Sequence, residues 1–471
     1  MRDPEAGHTA LAPPSARRDV YPVLERMGRD ELQALQLRRL DRQLRRLWET
    51  NPFYQEHWAA AGLERGTTTT SLDDLRRFPV VSKEDLLTDQ EEHPPYGWRL
   101  GVDERHVFEI TLSSGTSGRS QEIHAHTVRD AHMRALHGIA FRWAGMECDD
   151  TLVFHVGISN SASHGPFHRG IRAIGRLPYL VGHLGFEKRL ELMQRLGMDH
   201  MYVMPSALNG LTQLCLEQGS PPRELFPDLR SITMSGEGWP IDFVQRMEEA
   251  WGARVFEGYG ASQTYAGFIM SNCEHGAVTD GRRNGMHIYE WATIIEVVDP
   301  DSLEPVGPGE VGEIVVTHLE KEASPLIRFR TRDRAVYLPW HACSCGRQLD
   351  MLESGTIGRW DDMVKIKGEN VFPLEVDEIV FARREVAEYQ ARVFIGESGR
   401  DEAEISIELV EDGNGAAEMI RDLAADLKQR TNITFAMRLV PGGELPQWTT
   451  PDVKPRRWTD ERQAHLSQGS A

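Results

Sequence analysis

Between Val107 and about Val316 short apolar runs alternate with amphipathic helical stretches, and this alternation limits the possible folds more than any other feature of the chain. "TLVFHVGIS", "HMYVMP", "LRSITMSG", "ARVFEGYG" and "ATIIEVVD" have the length and apolar content of strands. "FEKRLELMQRLG" and "WPIDFVQRMEEAWG" have helical spacing. Strands separated by helices join most simply as a sheet covered by those helices, so the pattern predicts an α/β fold with largely parallel sheets. Upstream, Glu31 to Leu63 carries largely helical apolar spacing, and Ser82 followed by Glu84 and Asp85 suits a helix start. Downstream, "VGPGEVGEIVVTHL" is a turn-rich lead into a strand. The rhythm then changes. "DMVKIKG", "PLEVDEIVFAR", "EYQARVFIGE", "EAEISIELV", "GAAEMIRDLAADLKQRT" and "ITFAMRLVP" read β-α-β-β-α-β, a small α+β unit. The expected organisation is a flexible lead over 1–25, a large domain over 26–358 and a small domain over 359–471.

Within the alternating region, "TLSSGTSGRSQEIHAHT" (Thr111 to Thr127) is too rich in Ser, Thr and Gly for a helix interior or a central strand. It follows the apolar "VFEITL" directly. A hydroxyl- and glycine-rich loop after a strand suits a phosphate, because glycines let backbone N–H groups approach an anion and the hydroxyls add donors. The stretch has neither the Gly-Lys-Ser/Thr ending of a Walker loop nor the G-x-G-x-x-G pattern. Gly and Ser also mark plain surface loops, so the stretch needs its context to carry function.

Composition excludes several partners. The formal net charge of −19 argues against nonspecific binding to nucleic acid or an anionic membrane. No apolar run approaches the ~18 residues of a spanning helix. "MRDPEAGHTALAPPSARRD" lacks the apolar middle of a secretory signal. Cys148, Cys215, Cys273, Cys343 and Cys345 are an odd, sparse set that does not suggest a disulfide framework. A cytoplasmic protein is expected.

Five stretches occur in order: "SSGTSGRS", "SGEGWP", "EGYGASQTYAG", "IRFRTRDRA" and "GRWDDMVKIKGENVFPLEVDEI". Together they resemble the adenylate-forming superfamily of acyl- and aryl-CoA synthetases, peptide-synthetase adenylation domains and luciferases. "NPFYQEHW" and "FPVVSKEDLL" bring the resemblance closest to the phenylacetate–CoA ligase branch, from about residue 30 to 460. The resemblance implies a large N-terminal domain with mixed or parallel sheets, a small mobile α+β C-terminal domain, and an active site between them. It implies ATP with Mg²⁺, an acyl-adenylate intermediate, and CoA as the usual second substrate.

By this resemblance Ser113, Ser114, Gly115, Thr116, Ser117 and Gly118 wrap the β- and γ-phosphates. Arg119 either supplies a cation there or is a surface arginine. Gly236 and Glu237 line the adenine, and Tyr259 in the Tyr259-Gly260-Ala261-Ser262 run stacks on it. Asp333 accepts from the ribose hydroxyls, Arg359 reaches ribose or phosphate, and Asp361 is the hinge. Lys454 in "TTPDVKPRR" is the catalytic lysine, without the family's preceding glycine. Arg332 stands where the family commonly has glycine. Gln263 stands where the family places the Mg²⁺-binding Glu, which puts the metal site in question, since Mg²⁺ favours carboxylate and phosphate oxygens.

Two further groups complete the reading. Cys273, His275, Cys343 and Cys345 suit a tetrahedral structural Zn²⁺, as in relatives of this branch, with His341 as a spare donor. Family position assigns the acyl pocket to the His-rich stretch 154–170, with His155, His164 and His168, and to Tyr259, Gly260 and Ala261. Three histidines in a Gly/Ser loop point to a polar, hydroxy- or amino-substituted aromatic acid. Three functions stay open: a CoA ligase for an aromatic acid; an adenylating enzyme whose acceptor is a carrier-protein thiol, an amine or nitrite; and a non-catalytic nucleotide-binding homologue. A homodimer is the family-level expectation.

Overall fold

The computed structural model describes residues 19–113, 121–133, 136–155, 179–265, 267–396, 400–410, 415–445 and 457–462. The N-terminal helical stretch is two helices, Arg29–Thr50 and Pro52–Ala60, where the spacing suggested one. Pro52 cannot continue the first ladder, and the Asn51 side chain accepts the Tyr54 N–H at 3.1 Å to start the second helix. Leu40, Leu44, Leu47 and Trp48 form one face of the first helix and pack against Leu326, Ile327 and Phe329. Each leucine so buried contributes roughly 2 kcal/mol. The helix Lys83–Glu92 opens with the expected Ser82: its hydroxyl accepts from the Asp85 N–H at 3.2 Å, and Asp85 accepts from the Ser82 N–H at 2.8 Å. Such a reciprocal cap is worth about 1 kcal/mol.

The main sheet has twelve strands. Five are parallel and lie in the order Tyr179–Leu180, Leu152–Phe154, His200–Val203, Ser231–Met234 and Arg254–Tyr259. Met270–Asn272 then pairs antiparallel with the last of these. Gly285–Ile288, Met351–Glu353, Phe329–Leu338, Val311–His318 and Thr293–Val298 continue the sheet antiparallel. The helices Phe186–Leu196, Pro205–Glu217 and Ile241–Trp251 cover the parallel half with Leu190, Leu208, Leu211, Val244 and Met247.

The C-terminal unit has a four-stranded sheet of its own. Its order is Ala436–Val440, Asp401–Leu409, Val386–Ile395 and Trp458–Asp460, with helices Pro373–Phe381 and Ala416–Thr431 packed on it. A hairpin, Val364–Ile366 with Glu369–Val371, precedes it. Gly358–Arg359 pairs with Phe329–Leu338, so Arg359 belongs to the large sheet and the chain leaves that sheet just after it. No helix among the described residues is long and apolar enough to cross a membrane.

Candidate active site and cysteine cluster

Strand direction changes after Arg254–Tyr259, and in open α/β sheets ligands bind outside the carboxyl ends of the parallel strands at such a change. His155 follows Leu152–Phe154, Ser235 to Glu237 follow Ser231–Met234, and Tyr259 ends the last parallel strand. Gly260 continues from Tyr259 where no side chain fits: a Cβ there would lie 1.9 Å from the Gly267 carbonyl oxygen. Ala261 and Thr264 close the next turn, the Thr264 hydroxyl accepting from the Ala261 N–H at 2.8 Å. That turn carries Ser262 and Gln263.

Tyr259 donates its hydroxyl to Asp333 at 2.6 Å. Burial, reinforced by the Asp333 carboxylate, pushes the phenol well above its ordinary range, so it stays a neutral donor. Asp333 faces Arg359 in strand register, and Arg359 Nη1 lies 3.4 Å from Asp333 Oδ1. Asp361 accepts from Arg359 at 3.1 Å and from Arg332 at 3.3 Å. The structure therefore gathers Tyr259, Asp333, Arg359 and Asp361 into one hydrogen-bonded group. Glu237 turns its carboxylate away to accept from the Ser206 N–H at 2.9 Å and hydroxyl at 2.8 Å, at the start of the helix Pro205–Glu217.

Residues 56–319 match the AMP-binding enzyme family, and residues 368–462 match the AMP-binding enzyme C-terminal domain. The chain belongs to the AMP-binding enzyme family. It is an adenylate-forming ligase, and its relatives are CoA ligases. The phenylacetate–coenzyme A ligase of Thermus thermophilus is 29% identical over 453 residues, covering 90% of this chain and 96% of the relative. That of Escherichia coli K12 is 28% identical over 431 residues, covering 90% and 94%. The crystal structure of 2-hydroxyisobutyryl-CoA ligase in the postadenylation state with 2-HIB-AMP superimposes with a TM-score of 0.85 at 25% identity, over 97% of this chain and 95% of that one. The same ligase in the thioesterification state gives 0.69 at 26% identity, over 97% and 96%. The chain is therefore more similar in overall arrangement to the postadenylation structure than to the thioesterification structure.

The ligase's Gln263 donates its amide to Glu122 at 2.7 Å. Glu122 is fully buried and was not singled out in the sequence, where it reads as the tail of the Ser/Thr/Gly loop. His155 is buried, with both ring nitrogens unpartnered among the described residues. Burial, then Arg189, lowers its pKa well below the ordinary range, so the imidazole is neutral. Ser114, Gly115, Thr116, Ser117, Gly118, Arg119, His164, His168 and Lys454 lie outside the described residues.

The ligase's cysteine cluster differs from expectation in its imidazole. The donor atoms of Cys273, Cys343, Cys345 and His287 all lie within 4.8 Å of one another. His275, expected as the fourth donor, instead flanks one thiol, its Nδ1 3.5 Å from Cys343 Sγ. Strand pairing is the reason: His287 lies opposite Ser271 and Met351, which brings it beside both cysteine-bearing segments. His287 Nδ1 donates to the Leu349 carbonyl at 3.2 Å, and its Nε2 lies 3.4 Å from Cys345 Sγ. Cys273 and Cys343 sulfurs are 3.8 Å apart, close to the ~3.8 Å edge of a tetrahedron with ~2.3 Å metal–sulfur bonds. A disulfide would need about 2 Å. A lone histidine inside an apolar strand, "GMHIYE", carries no spacing signal that could have found it. His341, the spare candidate, packs its ring on Trp340.

Proposed function

We propose that the ligase condenses an aromatic carboxylic acid with ATP and transfers the acyl group to CoA. The observation that carries the reading is the Tyr259–Asp333–Arg359 group at the carboxyl ends of the parallel strands. One oxygen of the acid attacks the α-phosphorus, and the bond to pyrophosphate breaks. The CoA thiolate then attacks the acyl carbon, and AMP leaves. Such chemistry depends on placement and charge neutralisation. Asp333 accepts the ribose hydroxyls, with Tyr259 fixing one of its oxygens and Arg359 the other. Tyr259 and the main chain of Gly236 and Glu237 flank the adenine. Lys454 and the loop Ser113–Gly118 neutralise phosphate charge, and Asp361 is the hinge.

An aromatic substrate is supported by the wall beside His155. Phe154 and Tyr202 rings lie 4.6 Å apart, Tyr202 and Phe268 5.8 Å, and Phe141 and Tyr202 5.9 Å. A neutral, unpartnered imidazole in such a wall suits a ring that carries one hydroxyl or amino group. For the metals, donor chemistry fits in both places. Gln263 offers an amide oxygen with a carboxylate behind it, where a Mg²⁺ held by ATP phosphates is expected. Three thiols and the oriented imidazole of His287 suit a structural Zn²⁺.

The test is release of AMP and pyrophosphate across hydroxy-, amino- and unsubstituted benzoates and arylacetates, with and without CoA. Release that requires both an aromatic acid and CoA is expected. Release indifferent to CoA would move the reading to another acceptor, an amine, a carrier-protein thiol or nitrite, and absence of release with every acid would overturn adenylation itself.

A further inference from the structure

Glu122 sits where the Ser/Thr/Gly loop rejoins the sheet. The Ser113 N–H donates to the Glu122 carbonyl at 3.0 Å, and the Glu122 N–H donates to the Ser113 hydroxyl at 3.1 Å. Its carboxylate is fully buried. Oε2 accepts from Gln263 Nε2 at 2.7 Å and lies 3.9 Å from Lys83 Nζ. Oε1 has no hydrogen-bond partner among the described residues and lies 3.5 Å from His124 Nε2.

The –NH₂ end of Gln263 faces Glu122 Oε2, which turns the carbonyl oxygen Oε1 the other way. Donation to a charged acceptor also polarises the amide and draws negative charge onto that oxygen. We propose that Glu122 and Gln263 divide the work of a single metal-binding carboxylate: Gln263 Oε1 is the oxygen offered to the divalent cation of the bound nucleotide, and Glu122, as a positioning residue behind it, locks the amide and supplies the charge. The inference rests on the adenylation reading above. It explains how a neutral side chain serves at the position where the family places the metal-binding glutamate.

The probe is Mn²⁺, titrated by electron paramagnetic resonance into full-length protein saturated with α,β-methylene-ATP. Glu122→Gln keeps the volume but frees the amide to flip, and it is expected to weaken Mn²⁺ binding roughly 10- to 100-fold, as loss of an outer-shell partner does, while metal-free nucleotide affinity holds. The swapped pair Glu122→Gln with Gln263→Glu puts the carboxylate back on the metal side, with the amide now at position 122 donating to it, and should restore wild-type Mn²⁺ affinity. A merely structural role for Glu122 would give no such rescue. Gln263→Met, which keeps the length and removes the amide oxygen, should show the same loss and provides the test if Glu122→Gln does not fold. Unchanged Mn²⁺ affinity in Gln263→Met or Glu122→Gln, or a swapped pair no better than Glu122→Gln, would overturn the division of labour and leave adenylation standing. A wild-type protein that binds neither the analogue nor Mn²⁺ would overturn both.

Discussion

Glu257, two residues before Tyr259, illustrates how far a buried side chain can leave its ordinary chemistry. It is 4% exposed and accepts from the Gly355 N–H at 2.6 Å. Burial raises its pKa to about 8 against that hydrogen bond and the Arg283 charge, so it is largely protonated at neutral pH. The folded state keeps the proton from about 4.5 up to about 8, while the unfolded chain has released it. Stability from this group is therefore full below about 4.5 and is lost as pH rises through about 8. Glu257→Gln keeps an oxygen acceptor and removes the titration. We expect it to flatten the decline of Tm between about pH 5 and about pH 8, read by thermal unfolding across that range. A variant whose Tm profile runs parallel to that of the wild type would mean that Glu257 is already ionised in the folded protein. Nothing in "ARVFEGYG" announced this: the sequence shows a strand glutamate, and burial in the folded sheet is what raises its pKa.

Elements decide which donors meet at the cysteine cluster. The strands Met270–Asn272 and Gly285–Ile288 pair antiparallel, and Cys343 and Cys345 lie just past the short turn Trp340–Ala342. A Zn²⁺ there would tie these three segments together and add its binding energy to folding. His287→Ala is expected to abolish stoichiometric zinc, measured by elemental analysis of purified protein, and to lower Tm by about 2–4 °C for each kcal/mol lost. His275→Ala should keep the zinc. The reverse pattern would return the fourth position to His275, and no zinc in the wild type would leave the cluster as reduced thiols. The sequence exposed the cysteines and the nearest histidine but not the working set, because strand register brings together residues that are distant in the chain.

At the scale of the whole molecule, the contacts between the two units bear on the proposed reaction cycle. Arg334 lies 3.6 Å above the Phe372 ring, Arg283 bonds Glu378 at 2.8 Å, and Gly238 leaves room for Leu374, which a Cβ would approach to 2.7 Å. These contacts belong to the arrangement that matches the postadenylation relative. In the proposed cycle, moving to a thioester-forming arrangement would break them about a pivot just after Arg359. Asp361, exposed and held between Arg332 and Arg359, is that pivot in our reading. Asp361→Pro fixes φ near −65°. We expect acyl-adenylate formation to stay within about threefold of wild type and thioester formation from preformed adenylate to slow at least about tenfold. Single-turnover measurement of each half-reaction checks this, and equal slowing of both would remove Asp361 as the hinge.

Local physics made the α/β alternation, the order of the two units and the Ser82 cap legible in the chain itself. Apolar periodicity, capping chemistry and glycine content act over a few residues, so they survive in a linear string. The tertiary structure decided the rest: that Arg359 joins the large sheet, that His287 meets the thiols, and that Glu122 stands behind Gln263. Those pairings span 26 residues for Asp333 and Arg359 and 141 for Glu122 and Gln263. Contacts of that range are set by strand register and burial in the folded sheet, which no local spacing encodes.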